Sequence, residues 1–462
     1  MPHPHEAVLQ AGAATEDVTP EGPVEMSGYG AREGPSTGVH DRLSASALIL
    51  DDGAITVGLV SIDALNVSRE LTRRVHRTLA ADGIELDELL VAATHTHAGP
   101  YLPARALDVS PPLQADTDVS DTVAFVENRL VAAVSAAFER REPAVVRVGR
   151  AREATVPENR RAAGGVSGNV RVPSGPIDPE VTALSIETAS GERAVGFNFA
   201  CHPVCTTADE TLLSADWPGY ARRRIREAYG DVPVLFLNGA AGDINPSGTD
   251  PGRSGDAVYE YIADVGTSVG DAVVRALEDA ESTDTAAMRR TPIRLDAADL
   301  DLEVKSTPPT ETIRERIAQL DARLERLEEK RSGGSDAGET AEEMPSADEV
   351  AVGHLTAERQ YAAELLAIAE WDATSLPTRL PYVELGELGI LGMPAEVFVR
   401  HGLELKSRAR VSTLVPAGYV NGYVGYVPTL AELERVGYEV RTTKIAPEAI
   451  VDVRDAALEL VT

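Results

Sequence analysis

Short apolar runs alternate along the chain with polar or glycine-rich clusters. Runs of this kind, bounded by Gly, Pro, Asn or Asp, are typical of buried β-strands. We predict such strands at 54–62, 89–93, 194–200, 232–237, 388–393 and 411–416. Helical patterns follow at 68–82, where Ser68 is the expected N-terminal cap, at 217–229 and from Glu396 onward. Strands that alternate with helices predict an α/β fold, here one large catalytic domain (1–462) with mixed sheets flanked by helices.

One segment, 310–371, has a different pattern. Apolar residues recur there at alternating four- and three-residue steps, as in the seam of a coiled coil: Ile313, Ile317, Leu320, Leu324 and Leu327. A polar stretch at 331–348 separates them from a second helical stretch around 355–370. We therefore predict an inserted antiparallel helical hairpin with a flexible tip at 331–348. We expect a structural role or a homo-oligomer contact for it, with substrate gating as the alternative.

The charge of the chain excludes some partners. Its 462 residues include 43 Lys and Arg against 74 Asp and Glu, which gives a formal net charge of −31. This excess repels phosphate, so we expect neither a nucleic acid nor an anionic membrane as partner. Only four of the cations are lysines. An acidic, lysine-poor composition indicates adaptation to concentrated salt, and an acidic cytosolic protein from a GC-rich genome is the alternative.

The sequence shows neither a membrane span nor a secretion signal. No stretch approaches the roughly 18 consecutive apolar residues that a spanning helix needs. The N-terminal residues lack the basic and apolar regions of a signal peptide. Two cysteines, Cys201 and Cys205, are too few for a disulfide framework in a chain of this length. We expect a cytoplasmic protein without stable membrane insertion.

Polar side chains with catalytic potential follow several of the predicted strands. Since ligands of open α/β sheets bind beyond the carboxyl ends of strands, these side chains are candidates for a shared site. In an extended segment, His95 and His97 would point the same way. Imidazoles combined with a carboxylate and a weaker oxygen ligand are typical of a catalytic Zn²⁺ site with room for water. The full set is His95, His97, His202, Asp243, Glu396, Tyr423 and Tyr426.

Other features have competing interpretations. The loop 238–246 is glycine-rich but lacks the spacing of a nucleotide-binding motif, so its glycines more plausibly offer N–H donors to a substrate oxyanion. Cys201 and Cys205 are predicted to be buried free thiols rather than metal ligands. Arg160 has two interpretations. Its guanidinium either binds a carbonyl or carboxylate group with two N–H donors, or it is a solvated surface residue. Glu396 alone would fit the first turn of a helix.

Several segments resemble, in the same order along the chain, motifs of the neutral/alkaline non-lysosomal ceramidase family. Thr94 to Pro100 is similar to its S/T-H-T-H-S/A-G-P motif, and Asn238 to Pro246 to its N-x-x-x-G-D-V-S/N-P motif. The other similar segments are Met26 to Gly30 with Gly38 to Leu43, Asn159-Arg160, Ala200 to Pro203, Ser214 to Ala221, Pro394 to Phe398 and Asn421 to Val427. The resemblance spans roughly 12–440.

The resemblance implies a Zn²⁺-dependent amidase. It implies four metal ligands, His95, His202, Glu396 and Tyr423. It implies that His97 and Arg160 contact the reacting carbonyl. With them, Asp243, Asn245 and Tyr426 complete the expected catalytic set, and Tyr426 lines the pocket.

The sequence departs from the family in two places. The family carries Ser at the position of Asn245, and a catalytic role is given to that serine. Since Asn can donate a hydrogen bond but cannot be a nucleophile, we expect a metal-activated water to do the chemistry. The immunoglobulin-like C-terminal domain of secreted family members has no counterpart in the sequence, so we expect the catalytic domain alone.

The leading functional prediction is hydrolysis of the amide bond of an N-acylated, lipid-like substrate of the ceramide type. An esterase, lactonase or short-acyl amidase with the same metal is one alternative. A metal-holding binding protein without turnover is the alternative from another class.

Overall fold

An eight-stranded sheet forms the largest part of the computed structural model, which describes residues 8–103, 119–161, 175–250, 252–282, 288–332, 347–371, 374–435 and 437–462. Its strands, from one edge to the other, are β11 (Val234–Asn238), β9 (Arg193–Phe199), β8 (Glu180–Thr188), β6 (Glu142–Arg152), β1 (Gln10–Asp17), β3 (Ser44–Asp51), β4 (Thr56–Ile62) and β5 (Glu88–Ala93). The two edge pairs, β11–β9 and β4–β5, are parallel, and all other neighbours are antiparallel. The sheet is therefore mixed, as predicted.

A second sheet has four strands, β13 (Ile293–Glu303), β14 (Ser375–Leu385), β15 (Leu388–Gly392) and β17 (Thr413–Ala417). Only β15 and β17 run parallel in it. Three short strand pairs complete the described β-structure: β2 (Gly38–Val39) with β10 (Leu212–Leu213), β7 (Pro157–Asn159) with β12 (Ile244–Pro246), and β16 (Glu396–Val397) with β18 (Tyr426–Val427).

The two sheets lie face to face between two layers of helices. Alternation along β3 shows this, because Ala47 and Ile49 pack under helices whereas Leu48 and Leu50 face the second sheet. The outer face of the large sheet carries α1 (Arg69–Ala81), α2 (Ser120–Glu139), α3 (Asp216–Tyr229) and α4 (Asp256–Ser282). The outer face of the second sheet carries α7 (Val399–Arg408) and α10 (Pro447–Val461).

The strands predicted at 54–62 and 89–93 and the helix predicted at 68–82 are confirmed, and they form a β-α-β unit. Helix α1 joins the parallel strands β4 and β5, and the Ser68 side chain accepts a hydrogen bond from the backbone N–H of Leu71. Its buried residues, Leu71, Val75 and Leu79, recur on one face. The alternation of apolar and polar positions is therefore sufficient to place this unit.

The two edges of the large sheet approach each other through contacts between β4 and β11. Ser61 of β4 donates a hydrogen bond to the carbonyl of Phe236 in β11 at 2.8 Å and accepts one from the Phe236 N–H at 3.1 Å. Beyond it, the Asn238 side chain donates to the carbonyl of Thr94 at 3.2 Å. These contacts bring the segment that follows β5 beside the segments that follow β9 and β11.

Two long helices form an antiparallel pair. These are α5 (Thr310–Ser332) and α6 (Ala347–Glu370), and the predicted seam residues of α5, with Ile313 and Leu320 fully buried, pack on α6. The ion pairs Arg314–Glu370 and Asp321–Arg359 run in opposite order along the two helices. Most of the predicted tip, 333–346, lies outside the described residues. That this pair is an insertion into the domain stays a prediction.

The short helices α8 (Leu430–Leu433) and α9 (Tyr438–Thr442) precede α10. Among the helices of the described ranges, none is both long enough and apolar enough to cross a bilayer.

Candidate metal centre

His95 lies two residues after β5 and is almost completely buried. Its Nδ1 atom lies 2.7 Å from the carbonyl oxygen of Leu65. Because a carbonyl only accepts, Nδ1 carries a proton, which in the neutral tautomer leaves the lone pair on Nε2. The prediction that His95 and His97 belong to an extended segment is wrong, since His95 has a φ of 72°. The left-handed turn still brings the two rings together, with their centres 5.1 Å apart.

His202 follows β9 and is oriented in the same way. Its Nδ1 atom lies 2.7 Å from the carbonyl oxygen of Ala241 and 3.1 Å from that of Ile244. Nδ1 is therefore the protonated nitrogen, and Nε2 faces inward as an acceptor. Burial, together with the positive charge of Arg160, lowers the pKa of His202 to about 4, so the ring is neutral near pH 7.

Glu396 faces both imidazoles from the short strand β16. The prediction that a helix starts at this residue is wrong, because Glu396 pairs with Tyr426 of β18 and α7 begins only at Val399. Its Oε2 atom lies 2.9 Å from Nε2 of His202 and 3.4 Å from Nε2 of His95. Burial alone would raise the pKa of Glu396, but the two imidazoles lower it well below its ordinary value.

This arrangement fits a cation. The Nε2 atoms of His95 and His202 present lone pairs, and an ionised carboxylate is also only an acceptor. A cation bound among these acceptors would satisfy the contacts of 2.9 and 3.4 Å. The carbonyls that hold the two Nδ1–H groups are the outer partners that fix the ring orientation of histidines ligating a metal. Two imidazoles and a carboxylate are suited to Zn²⁺.

His97 is the third imidazole of the cluster. One ligand atom from each of His95, His97 and His202 lies within 4.8 Å of the others. Both ring nitrogens of His97 are buried without a hydrogen-bond partner among the described residues. Burial and the two neighbouring histidines lower the pKa of His97 well below its ordinary value. Its ring is thus neutral and can either complete the ligand set or act on a substrate.

The backbone around His97 is held tightly. Arg32 donates a hydrogen bond to the His97 carbonyl at 2.9 Å, and the Tyr29 ring packs 5.2 Å from the imidazole. Gly28 has a φ of 106°, and a Cβ atom there would lie 2.6 Å from the His97 Cα atom. Only glycine fits this contact.

Tyr423 lies on the far side of Glu396. Its hydroxyl forms a short hydrogen bond with Oε1 of Glu396, so it is within reach of the same centre. The sequence interpretation missed Tyr419, whose ring stacks 4.0 Å from that of His95 and whose buried hydroxyl has no partner among the described residues. Its only sequence signal is its position directly after β17, in the same tyrosine-rich segment.

Arg160 is buried in a polar network beside the centre. Its Nε donates to Glu439 at 2.8 Å, and one Nη1–H donates to Asn245 at 2.9 Å. Nη2 donates to the carbonyl of Gly242 at 2.8 Å and to the Tyr426 hydroxyl at 3.1 Å. The interpretation as a solvated surface residue is therefore wrong. Glu439, which lies 279 residues away in the chain, carried no motif by which the sequence could reveal it.

The Asp243 carboxylate and two N–H groups of the glycine-rich loop are already hydrogen-bonded within the protein. The Asp243 carboxylate accepts hydrogen bonds from the Val399 N–H at 2.7 Å and from the Asn159 side chain at 2.9 Å. The Gly242 N–H donates to the Val397 carbonyl and the Gly239 N–H to the Phe199 carbonyl. The expectation that these two glycines offer N–H groups to a substrate is wrong, because internal carbonyls already accept them.

The structure thus brings together all nine predicted site residues within one connected region. The three histidines form one cluster, Glu396 contacts two of them, and Tyr423 contacts Glu396. Asp243, Asn245 and Tyr426 are linked to one another through Arg160. Cys201 and Cys205 are free and buried, as predicted, and burial raises the pKa of both thiols.

The chain is similar to known ceramidases. The family model described as neutral/alkaline non-lysosomal ceramidase, N-terminal, matches residues 9–250. The neutral ceramidase of Mycobacterium tuberculosis is 24% identical, with 94% of this chain and 74% of that protein covered. The neutral ceramidase of Pseudomonas aeruginosa is also 24% identical, with 94% and 69% covered.

Solved structures share the architecture. The crystal structure of the P. aeruginosa neutral ceramidase superposes with a TM-score of 0.71 at 20% identity, over 98% of this chain and 74% of that one. A ceramidase complexed with C2 gives a TM-score of 0.69 at 18% identity, over 98% and 75%. The chain belongs to the neutral/alkaline non-lysosomal ceramidase family. It is accordingly a hydrolase of amide bonds.

Proposed function

We propose that this chain hydrolyses the amide bond of an N-acylated, lipid-like substrate of the ceramide type, with one Zn²⁺ held by His95, His202, Glu396 and Tyr423. The observation that carries the proposal is the convergence of the Glu396 carboxylate on the Nε2 atoms of two imidazoles whose Nδ1–H groups are held by backbone carbonyls. Both curated relatives are neutral ceramidases, which supports an amide with a long acyl chain as the substrate.

The bound ion would polarise the substrate carbonyl and lower the pKa of a water molecule to about 7. The protein residues position the other participants. His95 and His202 keep a fixed tautomer because backbone carbonyls hold their Nδ1–H groups. Glu396 brings the carboxylate of the set within reach of the Nε2 atoms of both rings.

His97 is the proposed proton-transfer residue. Its two ring nitrogens are buried without partners among the described residues, and the neutral ring offers one donor and one acceptor. We assign it the hydrogen bond to the carbonyl oxygen and the proton transfer, in which it would accept a proton from the attacking water on one ring nitrogen and deliver one to the departing amine. Metal ligation by the same ring is the competing assignment, because the three histidines lie close enough to share an ion.

Arg160 is the proposed second contact to the carbonyl. Four of the five N–H bonds of its guanidinium donate to Glu439, Asn245, Gly242 and Tyr426, which fixes the plane of the group. The remaining Nη1–H is the donor that we assign to the substrate. Asn245 and Tyr426 then act through Arg160, as residues that position it.

A panel of N-acyl amides and matched esters, assayed in high salt with and without a chelator, tests the proposal. We expect turnover of the amides, loss of activity on chelation and recovery when Zn²⁺ is added back. Turnover of esters alone would indicate an esterase on the same scaffold, and a bound metal without any turnover would indicate a binding protein. Amide turnover that survives complete removal of metal would contradict the proposed role of the ion.

A further inference from the structure

The carboxylate of Glu439 in α9 is shared by two neighbouring arginines. Glu439 is completely buried. Its Oε1 atom accepts a hydrogen bond from Nε of Arg160 at 2.8 Å, and its Oε2 atom accepts one from Nη1 of Arg161 at 2.7 Å. Because a guanidinium is planar and rigid, a contact at Nε orients the whole group. The position of α9 therefore helps to set the orientation of the Arg160 guanidinium.

The residue before Glu439 supports Arg160 from another side. The Tyr438 ring packs edge-on against the Tyr426 ring, with the ring centres 5.8 Å apart. The Tyr426 hydroxyl in turn accepts a hydrogen bond from Nη2 of Arg160 at 3.1 Å. Two adjacent residues of α9 thus hold Arg160, Glu439 directly and Tyr438 through Tyr426.

Helix α9 itself is held in place by α6. It has only five residues, so it depends on its neighbours rather than on its own hydrogen bonds for its stability. The guanidinium of Arg441 lies over the Tyr361 ring of α6, 5.0 Å from its centre, and forms an ion pair with Glu358 of α6. The Tyr361 ring also lies 6.0 Å from the Tyr438 ring. Helix α6 therefore contacts α9 at both Tyr438 and Arg441.

The contact between Glu358 and Arg441 lies at the surface. The side chains are 19% and 32% exposed, and Glu358 also lies 3.8 Å from Arg316 of α5. An ion pair of this kind contributes little to the stability of the fold. The backbone at Arg441 has separate support, because its carbonyl accepts a hydrogen bond from Lys305 at 2.6 Å. Loss of the ion pair should therefore shift α9 without unfolding the protein.

We propose that helix α6 positions the Arg160 guanidinium through α9, with the Glu358–Arg441 ion pair as the connection between the two helices. The inference rests on the proposed function, which assigns Arg160 to the substrate carbonyl. Glu358 and Arg441 are positioning residues in this account, and the α5–α6 pair acquires a role in catalysis. A donor that stabilises developing charge is effective only when it is held at hydrogen-bond distance, so a displaced Arg160 lowers the rate.

Glu358→Leu and Arg441→Leu test the inference, with an N-acyl amide that the wild type hydrolyses as substrate. We expect each variant to lower kcat by about tenfold, less than the roughly hundredfold effect of removing such a donor outright. KM and metal content should stay unchanged, because the weakened contact acts in the transition state. Glu358→Gln keeps a hydrogen-bond acceptor for Arg441 and should retain most of the wild-type kcat.

A double variant separates positioning of Arg160 from a general structural effect. Arg160→Met removes the guanidinium on which the proposed pathway ends. If α6 acts through Arg160, adding Glu358→Leu to Arg160→Met should not lower kcat any further. Independent effects would instead multiply, so the double variant would show the same tenfold loss relative to Arg160→Met.

The matched control is Glu370→Leu, the same change on the same helix at a residue that pairs with Arg314 of α5. It should leave kcat unchanged. Wild-type kcat in both Glu358→Leu and Arg441→Leu, or multiplying effects in the double variant, would overturn this inference alone. Wild-type kcat in Arg160→Met would overturn the role proposed for Arg160 in the reaction and this inference with it.

Discussion

The Nε2 atom of His202 lies 2.9 Å from the Oε2 atom of Glu396, although each presents a lone pair to the other. The Nδ1–H group of His202 donates a hydrogen bond to a backbone carbonyl. Burial lowers the pKa of His202 to about 4, so the ring is neutral near pH 7. A neutral Nε2 and a carboxylate oxygen are both acceptors, and a cation between them would satisfy both. We propose that the contact belongs to a set of metal ligands and is not an ordinary ion pair.

Replacement of His97 separates the two roles open to this residue. If His97 transfers protons, His97→Ala should retain about one Zn²⁺ per chain and lose roughly 10²- to 10⁴-fold in kcat. Metal content by elemental analysis and kcat are measured on the same preparation. Loss of the ion from folded His97→Ala would instead make His97 a ligand.

Asn245→Ala should keep measurable turnover. Asn245 accepts a hydrogen bond from Arg160, so its loss frees one N–H group of a residue that we assign to the carbonyl. Because Asn245 positions Arg160 and does not itself contact the carbonyl, its loss should cost no more than the loss of one oxyanion donor, on the order of 3 kcal/mol or about a hundredfold in kcat. Asn245→Ser, which restores the residue typical of the family, serves as the comparison. Complete loss of turnover in Asn245→Ala with the metal retained would give Asn245 a chemical role that this mechanism lacks.

Asp216 should make the stability of the protein depend on pH. Burial raises its pKa from the ordinary 3.8 to about 6, so the folded state holds the proton more tightly than the unfolded state. The stabilisation is thus complete below pH 3.8 and is lost as the pH rises through 6, with a total of about 3 kcal/mol.

Asp216→Asn tests this pH dependence, because Asn tolerates the φ of 56° at this position. From pH 4 to pH 7 the free energy of unfolding of the wild type should fall relative to that of the variant, as measured by denaturant titration. A constant difference between the two proteins across this range would show that Asp216 does not titrate as described.

Limited proteolysis tests the domain organisation. We propose one domain, with residues 310–371 as a helical hairpin inserted into it and 331–348 as its tip. Cleavage should occur first in 331–348 and leave the two fragments associated, because α5 and α6 pack along a buried seam. Early cleavage elsewhere into two separately stable parts would contradict a single domain.

The sequence predicts the elements of this fold better than it predicts the local geometry of the site. Strand β5 and helix α1 are predicted by local signals, namely the pattern of apolar residues and, for the helix, its N-terminal cap, because these signals lie in contiguous residues. The pairing of Glu396 with Tyr426 is not predicted in this way, because a two-residue strand has no periodicity to detect. The burial of Arg160 depends on its ion pair with Glu439, which lies 279 residues away in the chain. Tertiary contacts of this kind leave no signal in a single sequence.

Metal analysis of the wild type beside Glu396→Gln tests the proposed centre most directly. Gln has nearly the shape of Glu but carries no charge, so the fold should persist while the ion loses its only carboxylate ligand. We predict about one Zn²⁺ per chain in active wild-type protein, and in Glu396→Gln a metal content well below stoichiometric with no amide turnover. Active wild-type protein that contains no stoichiometric transition metal, or a Glu396→Gln variant that retains both metal and turnover, would contradict this assignment.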